Sequence, residues 1–184
     1  MQMFDDIDRG IWAFWDATLN HTEKLEEKIK STPVTIDEWH KQKEVIEAPI
    51  NYMDFDVGFA TFFLNRTNRS GIIKNAGVIG GENQDGNYKL DCRFNKVDLI
   101  NRIKRVAKYK NRIHLTNQDA IDFMSKDEKR LPKETFFCID PPYVNKGSSL
   151  YTNFYEKGDH AKIADAIMEL KHPWILTYDN ADEI

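Results

Sequence analysis

Cysteine is almost missing from this 184-residue chain: there are two, Cys92 and Cys138, and neither stands in a CxxC or Cys/His spacing. Two isolated thiols exclude a disulfide framework and a cysteine-ligated zinc site as organising features. Cys138 lies in the apolar run Phe136-Phe137-Cys138-Ile139 and is expected to be a small buried residue rather than a reactive one. A reducing cytoplasm fits this usage. Long hydrophobic runs are missing as well, since none approaches the roughly 20 apolar residues of a membrane helix. The opening, Met1-Gln2-Met3-Phe4-Asp5-Asp6, has acid where a signal peptide has base. Internal repeats and low-complexity tracts are absent. The chain has 41% hydrophobic and 30% charged residues at a mean hydropathy of -0.62, the composition of a globular protein. Its length suits one domain with a core, or a domain with a small appendage.

Net positive charge is also lacking. The formal net charge is -4, which at first argues against a polyanionic partner. The distribution reverses that impression. Between Val57 and Arg112 there are twelve Lys/Arg and four Asp/Glu, a local +8, and the rest of the chain carries -12. A basic middle in an acidic protein is the pattern of a nucleic-acid footprint confined to one face, although a solvated helix face gives the same count.

Apolar spacing predicts a helix over Ile7–Leu19, after a short stub closed by Asp5-Asp6, and a second over Thr22–Ile29. Thr35 with Glu38 three residues on forms a capping box for a third, running to about Ile46. Phe55–Leu64 reads as a buried helix. From Asn65 to Asn95 the character changes: five of the nine glycines (71, 77, 80, 81 and 86) fall there, with Gly58 just before, among Asn, Arg and Lys. That stretch suggests loops or a hairpin with little to bury. Asn95 can cap a helix with the stripe Val97, Ile100, Ile103, Ala107. An α/β rhythm comes next. Strands are predicted at Arg112–Thr116, Thr135–Ile139 and Trp174–Thr177, and helices at Ala120–Met124 and from Asp159 to Leu170. The second strand is apolar throughout, as in a parallel strand covered on both faces. This alternation is that of a doubly wound sheet.

In such sheets ligands sit beyond the C-terminal ends of the strands. Asp6, Asp119, Asp140 and Asp179 fall at such ends, where each can accept from a ribose hydroxyl or base amine, or equally cap a helix. The tetrapeptide Asp140-Pro141-Pro142-Tyr143 is more specific. Its prolines hold the backbone, so that the Asp140 carboxylate and the Pro141 carbonyl form a pair of acceptors of set geometry. Two such acceptors suit the two hydrogens of an exocyclic NH2 and raise the nucleophilicity of its nitrogen. Tyr143 offers a flat face for an unstacked base. Strings of this kind arise by chance in on the order of one in a hundred chains of this size. A preceding apolar strand and a succeeding helix make chance rarer still.

At this point the chain resembles the Dam-like, D12-class DNA adenine-N6 methyltransferases. Asp5-Asp6-Ile7-Asp8 with Ile11-Trp12-Ala13-Phe14-Trp15 is similar to the family's acidic motif after a strand. Phe62-Phe63-Leu64-Asn65-Arg66, Ser70-Gly71 and Lys74-Asn75 resemble the start of its target-recognition region, which Gly80-Gly81 to Tyr88 and Arg93-Phe94-Asn95 continue. Gln118-Asp119 resembles a cofactor-contacting segment, Asp140-Pro141-Pro142-Tyr143 the catalytic motif, and Tyr151-Thr152-Asn153-Phe154-Tyr155 the mobile loop after it.

The resemblance implies a Rossmann-like S-adenosylmethionine-dependent α/β fold, with 1–50 and 95–184 forming the catalytic part and 51–94 an inserted DNA-recognition region. It implies S-adenosylmethionine as cofactor, met by Asp6 at the ribose and Asp119 at the adenine. Duplex DNA would be held by Arg66, Arg69, Lys74, Lys89 and Arg93. Asp140, Pro141, Pro142 and Tyr143 would handle the flipped adenine, with no metal. The family's methionine-binding segment and Phe-x-Gly-x-Gly loop have no counterpart before Asp6, and its final antiparallel strands have none after Ile184. An incomplete sheet is therefore expected, with unpaired edges where the central strand belongs, and a complementing chain or oligomer is a possible source of that strand. Three other readings stay open: a DNA-binding fragment without activity, and methyl transfer to an RNA base or to a protein glutamine. The histidines at 21, 40, 114, 160 and 172 are scattered singly and receive no role.

Overall fold

A helix that is apolar all round is stable only inside a protein, and Phe55–Leu64 supplies the middle of one. The computed structural model describes residues 2–144 and 157–180. Its elements run β1 (Gln2–Asp5), α1 (Arg9–Asn20), α2 (Thr22–Ser31), α3 (Ile36–Glu47), α4 (Asp54–Thr67), α5 (Lys96–Ala107), β2 (Ile113–Thr116), α6 (Ala120–Asp127), β3 (Phe137–Ile139), α7 (Lys157–Met168) and β4 (Trp174–Leu176). The chain is mixed α/β and mostly helical, with small sheets. Among the described residues no helix is long and apolar enough to cross a membrane.

Two compact units are present, one made of 2–4 with 9–116, the other of 5–8 with 117–144 and 157–180. In the first, α4 packs against α1 and α3. Every residue of α4 from Val57 to Leu64 is buried. Gly58 is where α1 and α4 come closest: a Cβ there would lie 2.5 Å from the Ala13 carbonyl carbon. Arg9 ties the start of α1 to the segment before α4, donating to Asp54 (2.7 Å), the Pro49 carbonyl (2.8 Å) and the Tyr52 carbonyl (2.9 Å). Residues 51–94 belong to this unit and include α4, its most buried helix.

Local signals place most helices, and tertiary contacts adjust their faces. Thr35 caps α3 by accepting from the Glu38 amide (3.2 Å). The Glu38 carboxylate, expected to return to Thr35, instead accepts from Gln42 at 2.7 Å and lies 3.8 Å from Lys41. Asn95 caps α5 through the Asp98 amide (3.1 Å). The buried stripe of α5 is Leu99, Ile100 and Ile103, whereas Val97, expected on it, is 71% exposed. The stripe turns because α5 meets both α1 and α2. The glycine-rich stretch is loop, with one antiparallel bridge between Asn68 and Val78. It buries more than expected: Val78, Leu90 and Phe94 all enter the core. The helix expected from Asp159 to Leu170 begins two residues earlier, so Asp159 lies inside the first turn of α7.

The strands form two separate pairs, β1 with β2 and β3 with β4. β3 and β4 run parallel, with Phe137 opposite Trp174, Cys138 opposite Ile175 and Ile139 opposite Leu176. Phe137, Ile139 and Leu176 pack with Met124 of α6 and with Ile163 and Ile167 of α7. The expectation of a strand covered on both faces is not met. Cys138 is exposed, as are Phe136 and Ile175. Helices α6 and α7 share one face, and among the described residues nothing covers the other. A carboxylate fastens the far end of this unit. Glu128 accepts from the Lys171 amide and from the ring of His172, whose other nitrogen meets the Pro132 carbonyl at 3.1 Å. These contacts, the Lys171 amide first, hold the Glu128 carboxyl below its usual range.

Candidate active site

A parallel pair places the C-terminal ends of its strands side by side, so the residues after β3 must meet those after β4. The Thr177 amide continues the ladder by donating to the Ile139 carbonyl (3.0 Å). One residue further on, the Thr177 hydroxyl donates to Asp140 Oδ1. Tyr143 OH also donates to Asp140 Oδ1, at 3.3 Å. Among the described residues no hydrogen bond reaches Asp140 Oδ2. The far end of the tetrapeptide is tied to the same segment, because the Val144 amide donates to Asp179 Oδ1 (3.0 Å). Pro141 is buried and Asp140 exposed. The prolines thus anchor a carboxylate that faces outward, with one oxygen held and one open.

Aromatic rings gather beside it. Tyr143 and Tyr178 lie 6.5 Å apart between centroids at 34°. The Tyr178 hydroxyl meets His160 Nδ1 of α7, and the two rings form an edge contact at 5.7 Å. Burial, together with the neighbouring Asp179 charge, raises the Tyr178 phenol above its ordinary range, so it stays protonated at neutral pH. The segment expected to be a mobile loop, Tyr151–Tyr155, lies outside the described residues.

The other two acids, Asp6 and Asp119, follow the ends of β1 and β2. The Gln118 amide donates to Asp5 Oδ1 (3.1 Å), and the Asn117 side chain donates to the Asp6 carbonyl (2.6 Å). Asp6 itself accepts from the Asp8 amide at 2.8 Å. Burial is the main cause that pushes the Asp6 carboxyl up to about 6; Asp8 and Asp5 add to it through their charge, and the Asp8 amide opposes it. Asp119 is the N-cap of α6, with Oδ1 accepting from the amides of Ile121 (2.8 Å) and Asp122 (3.3 Å). Capping and ligand acceptance are compatible in a carboxylate, because its second oxygen remains for another donor.

The basic residues separate into two groups. Lys96 donates to the Lys30 and Thr32 carbonyls at the end of α2, Arg102 pairs with Asp98 at 2.9 Å, and Lys104 pairs with Glu26 at 2.8 Å. These maintain the fold. Arg66, Arg69, Lys74 and Arg93 have no carboxylate partner among the described residues. Arg66 is half-buried, and its guanidinium donates to Asn65. Burial first, then the charges of Arg93 and Arg102, lower its proton affinity. Lys89, one of the expected DNA contacts, donates to the Gln84 (2.6 Å) and Gly86 (3.0 Å) carbonyls and closes the loop they belong to.

No sequence pattern pointed to Thr177, Tyr178 or His160. Their positions after a strand and inside a helix are ordinary; the register of β3 and β4 brings Thr177 to Asp140 and Tyr178 to Tyr143, and His160 meets Tyr178 from α7. An apolar hollow of about 320 Å³ in the first unit, walled by Phe4, Trp15, Leu19, Val106 and Tyr109, holds none of the candidate residues. Gln2 and Arg105 are the polar residues of its lining, which is otherwise apolar or aromatic. No protein-family model matches the chain, and no curated protein matches it in sequence.

Proposed function

We propose that the chain belongs to a DNA methyltransferase that transfers a methyl group from S-adenosylmethionine to N6 of adenine in duplex DNA. The observation that carries this reading is the Asp140 carboxylate at the end of a parallel strand, held through Oδ1 and open at Oδ2, beside the flat faces of Tyr143 and Tyr178. An adenine turned out of the duplex stacks on Tyr143 and donates one N6 hydrogen to Asp140 and the other to the Pro141 carbonyl. This directs the nitrogen lone pair at a methyl group. Once it has taken the methyl group, the amine nitrogen would pass its surplus proton to the Asp140 carboxylate or to water. S-adenosylmethionine supplies the electrophilic methyl when bound. Asp6 would accept from its ribose hydroxyls, and Asp119, through the oxygen that capping leaves over, from its adenine amine. The finer fold, a Rossmann-like sheet, is part of the same proposal. Arg66, Arg69, Lys74 and Arg93, which no described carboxylate neutralises, would grip phosphates.

A second reading is favoured by the separation of β1–β2 from β3–β4. Here the chain binds DNA but needs a further strand, from a complementing chain or a second copy, before it holds cofactor. Calorimetric titration with S-adenosylhomocysteine, with and without duplex DNA, separates the two. Micromolar binding, with methyl transfer to adenine-containing duplex, supports the first reading. DNA binding without cofactor binding supports the second. Asp140→Ala should abolish transfer and leave DNA affinity unchanged; loss of both would remove the catalytic assignment.

A further inference from the structure

We propose that Thr177 is a positioning residue for Asp140: its hydroxyl fixes the rotamer of the carboxylate so that Oδ2 faces the incoming amine. The role assigned to Asp140 rests on the methyltransferase reading; the positioning itself does not. An exposed aspartate on a single χ1 bond ordinarily samples several staggered rotamers. Here two hydroxyls converge on the same oxygen, from Tyr143 and Thr177. They differ in how well they are held. Tyr143 belongs to the tetrapeptide it would have to orient. Thr177 directly follows the neighbouring strand β4, 37 residues away in sequence, and its backbone is clamped by the ladder bond to Ile139. Its β-branched side chain leaves few choices for the direction of the hydroxyl. It is therefore the fixed reference, and Asp140 is the group it sets. Asp179 holds the other end of the same turn through the Val144 amide. The two contacts together stop the tetrapeptide from swinging relative to β4.

Occupation of one carboxylate oxygen has a use of its own. A carboxylate with both oxygens unengaged can turn to present either one, or neither, to a substrate amine. Holding Oδ1 leaves one acceptor in one place, as a hydrogen bond that must strengthen during reaction requires.

Thr177→Val keeps the branched shape and removes the hydroxyl; Thr177→Ser keeps the hydroxyl. Three-bond couplings between Hα and Hβ of Asp140 report its χ1 populations by NMR in the whole chain. A single rotamer is expected in the wild type and in Thr177→Ser, with averaged couplings in Thr177→Val. A single unchanged rotamer in Thr177→Val would overturn the proposal. Turnover gives the second readout. In a chain that transfers methyl groups, Thr177→Val should lower kcat by about 10- to 100-fold with KM for DNA and cofactor unchanged, and Thr177→Ser should restore most of it. An unaltered kcat in Thr177→Val would equally overturn it. Averaged couplings in Thr177→Val, in a chain that transfers no methyl group, keep the positioning role and remove the reading that this chain by itself is a methyltransferase.

Discussion

The indole nitrogen of Trp39 donates a 2.6 Å hydrogen bond to Oδ1 of Asn68, and both side chains are buried. The Asn68 amide nitrogen in turn donates to the Ile72 (2.8 Å) and Ile73 (3.2 Å) carbonyls. One side chain thus joins α3 to the loop that leaves α4, the loop that carries Arg69 and Lys74. Trp39→Phe keeps most of the apolar volume and leaves Oδ1 of Asn68 without a donor. It should cost roughly 1–3 kcal/mol, the penalty of a buried unsatisfied acceptor. Urea unfolding monitored by circular dichroism measures it, and a loss below a few tenths of that range would mean the bond is replaced by water.

Gly58 tests how closely α1 and α4 are packed. Alanine is better than glycine within a helix by about 1 kcal/mol. Against this, its Cβ would stand 2.5–2.7 Å from the Ala13 carbonyl group and the Phe14 amide, which are backbone atoms and cannot rotate away. Overpacking typically costs about 1–3 kcal/mol, and a clash with backbone atoms lies at the upper end, so the net effect of Gly58→Ala is destabilising. Ala13→Gly should fail to rescue it, because the clash is with the backbone of residue 13. Rescue by Ala13→Gly would show that the helices can slide.

Asp6 has a carboxyl raised from 3.8 to about 6 in the folded chain. A raised folded value means that the folded state binds the proton more tightly than the unfolded one. The contribution of Asp6 to stability is then full below about pH 4 and declines as pH rises through about 6. A ribose diol needs the ionised acceptor, so S-adenosylhomocysteine affinity should change in the opposite sense, rising through the same window. Asp6→Asn should flatten both curves. Thermal unfolding and calorimetry at a series of pH values between 4 and about 7.5 test the two together, using the linkage between protons and stability.

Arg69 and Lys74 are exposed, carry no carboxylate partner among the described residues, and stand on the loop that Asn68 organises. Replacing either by alanine should weaken duplex DNA binding whatever the sequence of the duplex. Each loss should also reduce the slope of log K against log salt by about 0.9. Lys89→Ala should differ. Its ammonium closes the 84–86 loop, so the variant should lose protection of that loop in hydrogen exchange with little change in salt slope. A full unit of slope lost on Lys89→Ala would place it among the phosphate contacts after all.

Much of the architecture was readable from local patterns. The all-round apolarity of Phe55–Leu64 announces the central helix, Thr35 and Asn95 announce their caps, and the apolar run ending at Asp140-Pro141-Pro142-Tyr143 announces a strand and a rigid turn. Expectations failed where a distant element decides the outcome. Val97 fits the stripe of α5 by spacing, yet α1 and α2 together select the neighbouring Leu99 face. Cys138 sits among apolar residues and is exposed, because burial depends on a layer above the sheet and not on the strand itself.

The amino-acid sequence by itself determined which stretches become helices, where caps form, where basic residues gather and where a proline-locked acid comes after a strand. These depend on contacts within a turn or two of chain. The tertiary structure alone decided which oxygen of Asp140 is held, that Thr177 holds it, that Asp6 sits where its carboxyl is pushed up to about 6, and that Lys89 closes a loop while Arg69 and Lys74 stay open. Those outcomes depend on strand register and burial, which are set by packing between residues far apart in sequence, and no local pattern encodes them.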